Sequence, residues 1–271
     1  MLGTLMKYEF KGMWQRLGVF YLAWLAVGII MGVSLRGSDV GTVAGFAILA
    51  FVIATVVAVI MTLVAIVDDR FNKNMLGDEG YFTMSLPVSI DSLLMSKTLS
   101  AVIWIAVAYI ASAIAGCIFA IIAAGEMDMD WGVQEHIQVS MADKATLALI
   151  IIEALAVVVL FTARFVLKLY ASISVGRQFN KHQGLISVVV YIVYCILESF
   201  VVNGLVNLLI NNANTWNFGI NPEPIGDSGQ YALNVTNDPL LFMQIIAVGL
   251  LIAAVYYIIT RYLTKNRLNL Q

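Results

Sequence analysis

The stretch RFNKNMLGDEGYFTMSLPVSIDSLLMSK, Arg70 to Lys97, lies between two long runs, Val40–Val67 and Thr98–Gly125, that contain no charged residue. Each run exceeds the roughly 20 helical residues needed to cross a hydrocarbon core. The pattern is that of a membrane protein whose spans are joined by short polar segments. Within the interval Gly77, Gly80 and Pro87 stop long helices. Between them Glu79-Gly80-Tyr81-Phe82-Thr83-Met84-Ser85-Leu86-Pro87 is long enough for one or two helical turns, and we expect a small helix parallel to the membrane, placed to dock a soluble partner. Residue types alone fit an ordinary polar hairpin between two spans equally well.

Composition sets the class. Of 271 residues 61% are hydrophobic and only 12% charged, about half the roughly 25% of a soluble domain. Mean hydropathy is +0.90. Cys117 and Cys195 both fall inside apolar runs, which leaves no disulfide framework or metal-ligand spacing.

The chain opens with an apolar stripe, Leu2, Leu5, Met6, Phe10, Met13, Trp14 and Leu17, opposed by Lys7, Lys11, Gln15 and Arg16. This predicts an interfacial amphipathic helix over 1–16. Six spans are expected at about 17–35, 40–67, 98–125, 145–167, 184–210 and 240–260, with the polar loop at 68–97 and an Asn-, Gly- and Pro-rich loop at 211–238. The whole of 1–271 is one all-α transmembrane domain in this reading. With the amino terminus inside, all Lys and Arg except Arg36 and Lys144 lie in or beside inner segments. Both termini and the 68–97 loop are thus expected in the cytoplasm. The acidic 126–144 segment and the 211–238 loop are expected outside.

Polar residues within spans mark candidate functional positions. Glu153 and Glu198 are both expected in the outer half of the bilayer, where neighbouring antiparallel spans could bring them close. Either they line a translocation path or each is satisfied between helices. Arg164 is expected to anchor the inner end of its span by snorkelling. Ser199, Asn203, Asn207 and Asn211 recur every four residues and form one polar face, which either lines the path or holds helices together.

No enzyme chemistry is evident. A phosphate-binding Gly-x-x-x-x-Gly-Lys-Ser/Thr loop is absent, as is His-Glu-x-x-His, and no span contains a His to activate a nucleophile. We expect no catalytic residue, metal site or cofactor in this chain, and no nucleic-acid partner. The sequon Asn234-Val235-Thr236 is a three-residue match expected by chance.

Glu79, Gly80, Tyr81, Thr83, Leu86, Pro87, Ser89, Ser96 and Lys97 resemble the cytoplasmic loop of compact, six-span type-2 ABC exporter permeases. Ser172 to His182, with Gly176 as a plausible helix C-cap, resembles their second cytoplasmic motif. The resemblance implies that Asp78, Glu79, Gly80, Tyr81, Phe82, Thr83, Pro87, Gly176 and Arg177 meet a separate cytoplasmic ATPase, which carries ATP and Mg. It also implies a second permease chain, identical or different, in a bacterial plasma membrane. Short, partly re-entrant helices are implied for 211–238. The substrates implied are amphipathic or hydrophobic peptides of toxin or antimicrobial type; depth and helical spacing, rather than the resemblance, make Glu153, Glu198, Asn203 and Asn207 the candidates for the path. The alternatives are a proton-coupled secondary transporter or channel using Glu153 and Glu198, and a non-transporting scaffold or sensor.

Overall fold

In the computed structural model the described residues are 2–36, 42–77, 80, 85, 87–124, 137–138, 141–179, 181–210, 219–225, 230–236 and 239–266. Six long helices carry the chain: α1 (Leu2–Arg36), α2 (Thr42–Val64), α3 (Ile90–Ala124), α4 (Met141–Gly176), α5 (Gln183–Ile210) and α6 (Pro239–Asn266). Each is long and apolar enough to cross a membrane, and the chain is a multi-pass membrane protein.

The helices overrun the apolar runs that predict them. α2 continues without a break through a π-helical segment, Ala65–Lys73, and a final α-turn, Asn74–Leu76. α3 begins at Ile90 rather than Thr98, and α4 runs on to Gly176. Charge alone does not end a helix; backbone chemistry does. Gly77 turns to extended geometry, and a Cβ there would sit 2.8 Å from the Lys73 carbonyl oxygen. At the other end Ser89 caps α3, its hydroxyl accepting from the Ser92 N–H at 3.2 Å. Only 77–89 of the expected 68–97 loop therefore lies outside the long helices.

No boundary separates an interfacial helix over 1–16 from the first span. α1 is a single helix of 35 residues. Its buried stripe, Met13, Leu17, Tyr21 and Trp24, crosses the expected boundary without interruption. Those spacings of four and three residues keep one face on the core, so packing holds both parts on one axis.

The chain divides into two units, residues 1–128, 165–191 and 256–271 in the first and 129–164 and 192–255 in the second. In the first unit α1 lies close against α3. A Cβ on Gly28 would be 3.2 Å from the Ala115 carbonyl oxygen, and one on Gly32 would be 2.9 Å from Ile122 Cβ. Small residues at such crossings let backbones approach, the usual source of helix attraction where lipid removes the hydrophobic drive. Trp104 is buried among the rings of Phe10, Trp14 and Tyr21, at centroid distances of 6.1, 6.2 and 6.2 Å. Thr62 donates to the Ala58 carbonyl at 2.9 Å, which leaves its oxygen to accept from the Tyr21 hydroxyl at 3.2 Å.

The second unit contains a small sheet that residue types did not predict. Its strands are β1 (Ile137–Gln138), β2 (Gly219–Ile225) and β3 (Gln230–Thr236), in the order β1-β3-β2. β2 and β3 pair antiparallel from Gly219 opposite Thr236 to Ile225 opposite Gln230, and β1 runs parallel to β3. The described part of 211–238 is thus a β-hairpin, not re-entrant helices. Pro222 and Pro224 are compatible because β2 is an edge strand, where a missing N–H is tolerated. In the helical part of this unit Gly249 of α6 makes room for α4. A Cβ there would lie 2.6 Å from Leu160 Cδ2.

Candidate functional site

Within the first unit, the segments entering the two motif-bearing connections are tied together. Arg177, immediately after α4, donates through Nε to Asn72 Oδ1 at 2.8 Å and through Nη1 to Gln183 Oε1 at 3.0 Å. Asn72 lies in the π-helical segment and donates in turn to Asp68 Oδ1 at 2.8 Å. Asp68 also pairs with Lys73 at 2.7 Å. Five residues separate that pair, a spacing suited to a π turn, whose hydrogen bonds run from i to i+5. Beside the polar chain, Phe71 stacks on Tyr170 with centroids 3.9 Å apart and planes 8° from parallel, both rings fully buried. α2 and α4 therefore leave this unit's core through a contact that is aromatic inside and hydrogen-bonded outside.

Gly176 works differently from a left-handed cap. A Cβ on it would collide with Ser187 Oγ and lie 2.8 Å from the Gln183 carbonyl oxygen, so its missing side chain lets the end of α4 touch the start of α5. The left-handed residue is His182, at φ 57°, whose carbonyl accepts from the Ile186 N–H at 3.0 Å and opens α5.

A second polar node joins α1 to the same end of α2. Lys97, 2% exposed, donates to Glu9 Oε1 at 2.9 Å and to Asn74 Oδ1 at 2.8 Å. Lys97 belongs to the pattern quoted above, yet it faces inward. Neither Glu9 nor Asn74 was singled out by sequence reasoning. The available signal was weak: Glu9 is the single acid among the cations of the first sixteen residues.

In the second unit the intramembrane acids separate. Glu198 pairs with Arg164, Nε to Oε1, at 3.0 Å, with side chains only 9% and 14% exposed. The Arg164 guanidinium also lies 4.2 Å from the centre of the Phe161 ring. Arg164 is thus held internally rather than snorkelling to an end, because a carboxylate on the facing helix answers its charge where water is excluded. Glu153 is half-buried three helical turns away along α4, about 16 Å. Ser199 and Asn203 are exposed on α5, whose most apolar stretch has no residue buried within the chain.

The expected docking residues Asp78, Glu79, Tyr81, Phe82 and Thr83 lie outside the described residues, as does the side chain of Asn207. Gly80 is buried, its N–H donating to the Gly77 carbonyl at 2.8 Å, and Pro87 is exposed. Among the described residues no group of three or more His, Cys, Asp and Glu is placed to hold a metal ion. Compared with family models, with curated proteins and with solved structures, the chain finds no match in any of the three.

Proposed function

We propose that the chain is the membrane permease subunit of an ATP-driven exporter of the type-2 ABC kind, with ATP and Mg held by a separate cytoplasmic ATPase. Two permease chains form the assembly, in a bacterial plasma membrane with both termini cytoplasmic. The observation that carries this reading is the bond from Arg177 to Asn72 above the stack of Phe71 on Tyr170. Both polar connections, 77–89 and 177–182, leave from this one contact. A partner pressing on either connection would move α2 and α4 together, which is what converts nucleotide-driven closure into a change of helix packing. Exposed Ser199 and Asn203 on α5 support a second chain or a polar route against that face, since lipid offers such groups no partner.

The substrate in this proposal is an amphipathic or hydrophobic peptide. A cationic side chain of the peptide would compete with Arg164 for Glu198, so the ion pair opens only for a ligand that replaces its charge. A proton-coupled transporter using Glu153 and Glu198 is less favoured, because the Glu198 carboxylate is neutralised by Arg164 at 3.0 Å.

The test asks whether a soluble ATPase co-purifies with this chain and whether peptide then stimulates its hydrolysis. Glu79→Lys with Tyr81→Ala is expected to weaken association at least about thirtyfold, the loss of one anchoring contact of about 2 kcal/mol. Asp130→Lys serves as the control. Equal binding and stimulation in all three forms removes the docking role. Transport driven by a pH gradient without any ATPase replaces the exporter by the carrier.

A further inference from the structure

Because α1 is one unbroken helix, its first fifteen residues continue the axis of the span that starts at Leu17. At about 100° per residue, Lys7, Tyr8, Lys11, Trp14 and Gln15 fall within about 120° of one another, and all five are exposed. Glu9, bound to Lys97, lies on the opposite side with Met13 and Leu17. The helix thus sends its carboxylate inward and leaves its two ammonium groups outward. No described carboxylate pairs with Lys7 or Lys11, whereas Lys73, Lys97, Arg164 and Arg261 each have an internal ion-pair partner. The exposed sector continues down the span as Leu22, Ile29 and Val33, wholly apolar.

We propose that this face of α1 binds an anionic phospholipid, its phosphate between Lys7 and Lys11 beside Tyr8, its glycerol region on Trp14, and its acyl chains along Leu22. Three features match that ligand. The two ammonium groups are one helical turn apart, a spacing that lets both reach one phosphate. Lys11 stands about 9 Å along the axis from Leu17, just past a headgroup layer roughly 5–7 Å deep, and Lys7 stands one helical turn beyond it. Trp14 and Tyr8 are 65% and 70% exposed, and amphipathic rings belong where one side is apolar and the other wet. The Trp14 ring lies beside Gly18, whose Cβ would touch it at 3.4 Å, and its centre is 6.2 Å from that of Trp104, so it is held against the helix with its outer side free. A soluble acidic partner would match the lysines but not the apolar continuation.

The test uses the purified full-length chain in a neutral detergent, titrated with phosphatidylglycerol and, in parallel, phosphatidylcholine, with bound lipid counted by native mass spectrometry. Phosphatidylglycerol is expected to be retained in preference. Each lysine near an anionic headgroup contributes about 1 kcal/mol, so Lys7→Gln with Lys11→Gln should weaken retention about thirtyfold, and Lys11→Gln alone about fivefold. Lys7→Arg with Lys11→Arg should retain the lipid. The control pair Lys181→Gln with Lys265→Gln, also exposed, should bind as the parent does. Glycerol phosphate, the same anion without tails, should not compete. Equal retention of phosphatidylcholine, parent-like binding by the Lys7/Lys11 variant, an equal loss in the control pair, or displacement by glycerol phosphate would each overturn the proposal.

Discussion

Replacing Lys97 by Met tests whether the node joining α1, α2 and α3 is a true buried ion pair. The side chain is 1% exposed and its partner Glu9 15%, so solvent screens the pair little. Lys97→Met keeps the aliphatic length but removes the ammonium from both the Glu9 carboxylate and the Asn74 oxygen. Removing one member of a buried pair costs about 3–5 kcal/mol, most of it the penalty of stranding the other charge. Unfolding entropy of roughly 2.1 cal/mol/K per residue over 271 residues is about 0.6 kcal/mol/K. The melting temperature in detergent should therefore fall by about 5–9 °C. Helices that persist in the melted state reduce the entropy and make the fall larger. The informative comparison is Lys97→Met with Glu9→Leu, which removes both charges and retains apolar volume. It should recover to within about 1–2 kcal/mol of the parent, the residue of the loss being the Asn74 acceptor. Thermal unfolding followed by size-exclusion chromatography reads all four corners of this cycle. A Lys97→Met melting point within 1 °C of the parent, or a double variant as unstable as the sum of its singles, would refute the reasoning.

Glu198→Leu, which strands Arg164 in the membrane, should cost about 3–5 kcal/mol, and adding Arg164→Met should restore most of it, as thermal unfolding of the four forms would show. Phe71→Ala removes a fully buried ring stacked on Tyr170 and should destabilise by about 3–5 kcal/mol, measured the same way. Gly176→Val places methyl groups where Ser187 Oγ and the Gln183 carbonyl stand; purified yield and monodispersity should fall sharply, while Gly184→Val, with open space around it, should behave as the parent. Arg177→Ala leaves the aromatic stack intact but unties Asn72, so melting should change by no more than about 1–2 kcal/mol while hydrogen exchange of 65–76 accelerates.

The membrane class and the number of spans are legible in the residues alone, because a run of 20 or more apolar residues has one low-energy use in a bilayer and every backbone group is satisfied within its own helix. The same argument located Gly77 and Pro87 as interruptions, since their backbone chemistry acts locally. Which polar groups meet was decided only by tertiary structure. Arg164 and Glu198 are 34 positions apart, Glu9 and Lys97 are 88, and Arg177 and Asn72 are 105, so each partner is set by the rotation and depth of two packed helices rather than by spacing along one. The rotation of α1 shows why this matters. Glu9 lies between Lys7 and Lys11 in sequence, yet burial of Met13, Leu17 and Tyr21 turns the acid inward and leaves both lysines outside. The π-helical register of 65–73, which aims Asn72 at Arg177, has no apolar period to announce it. The pairing of 137–138 with 231–232 in parallel register likewise depends on segments that only the folded chain brings side by side, because sheet hydrogen bonds are made between strands and helix hydrogen bonds within one.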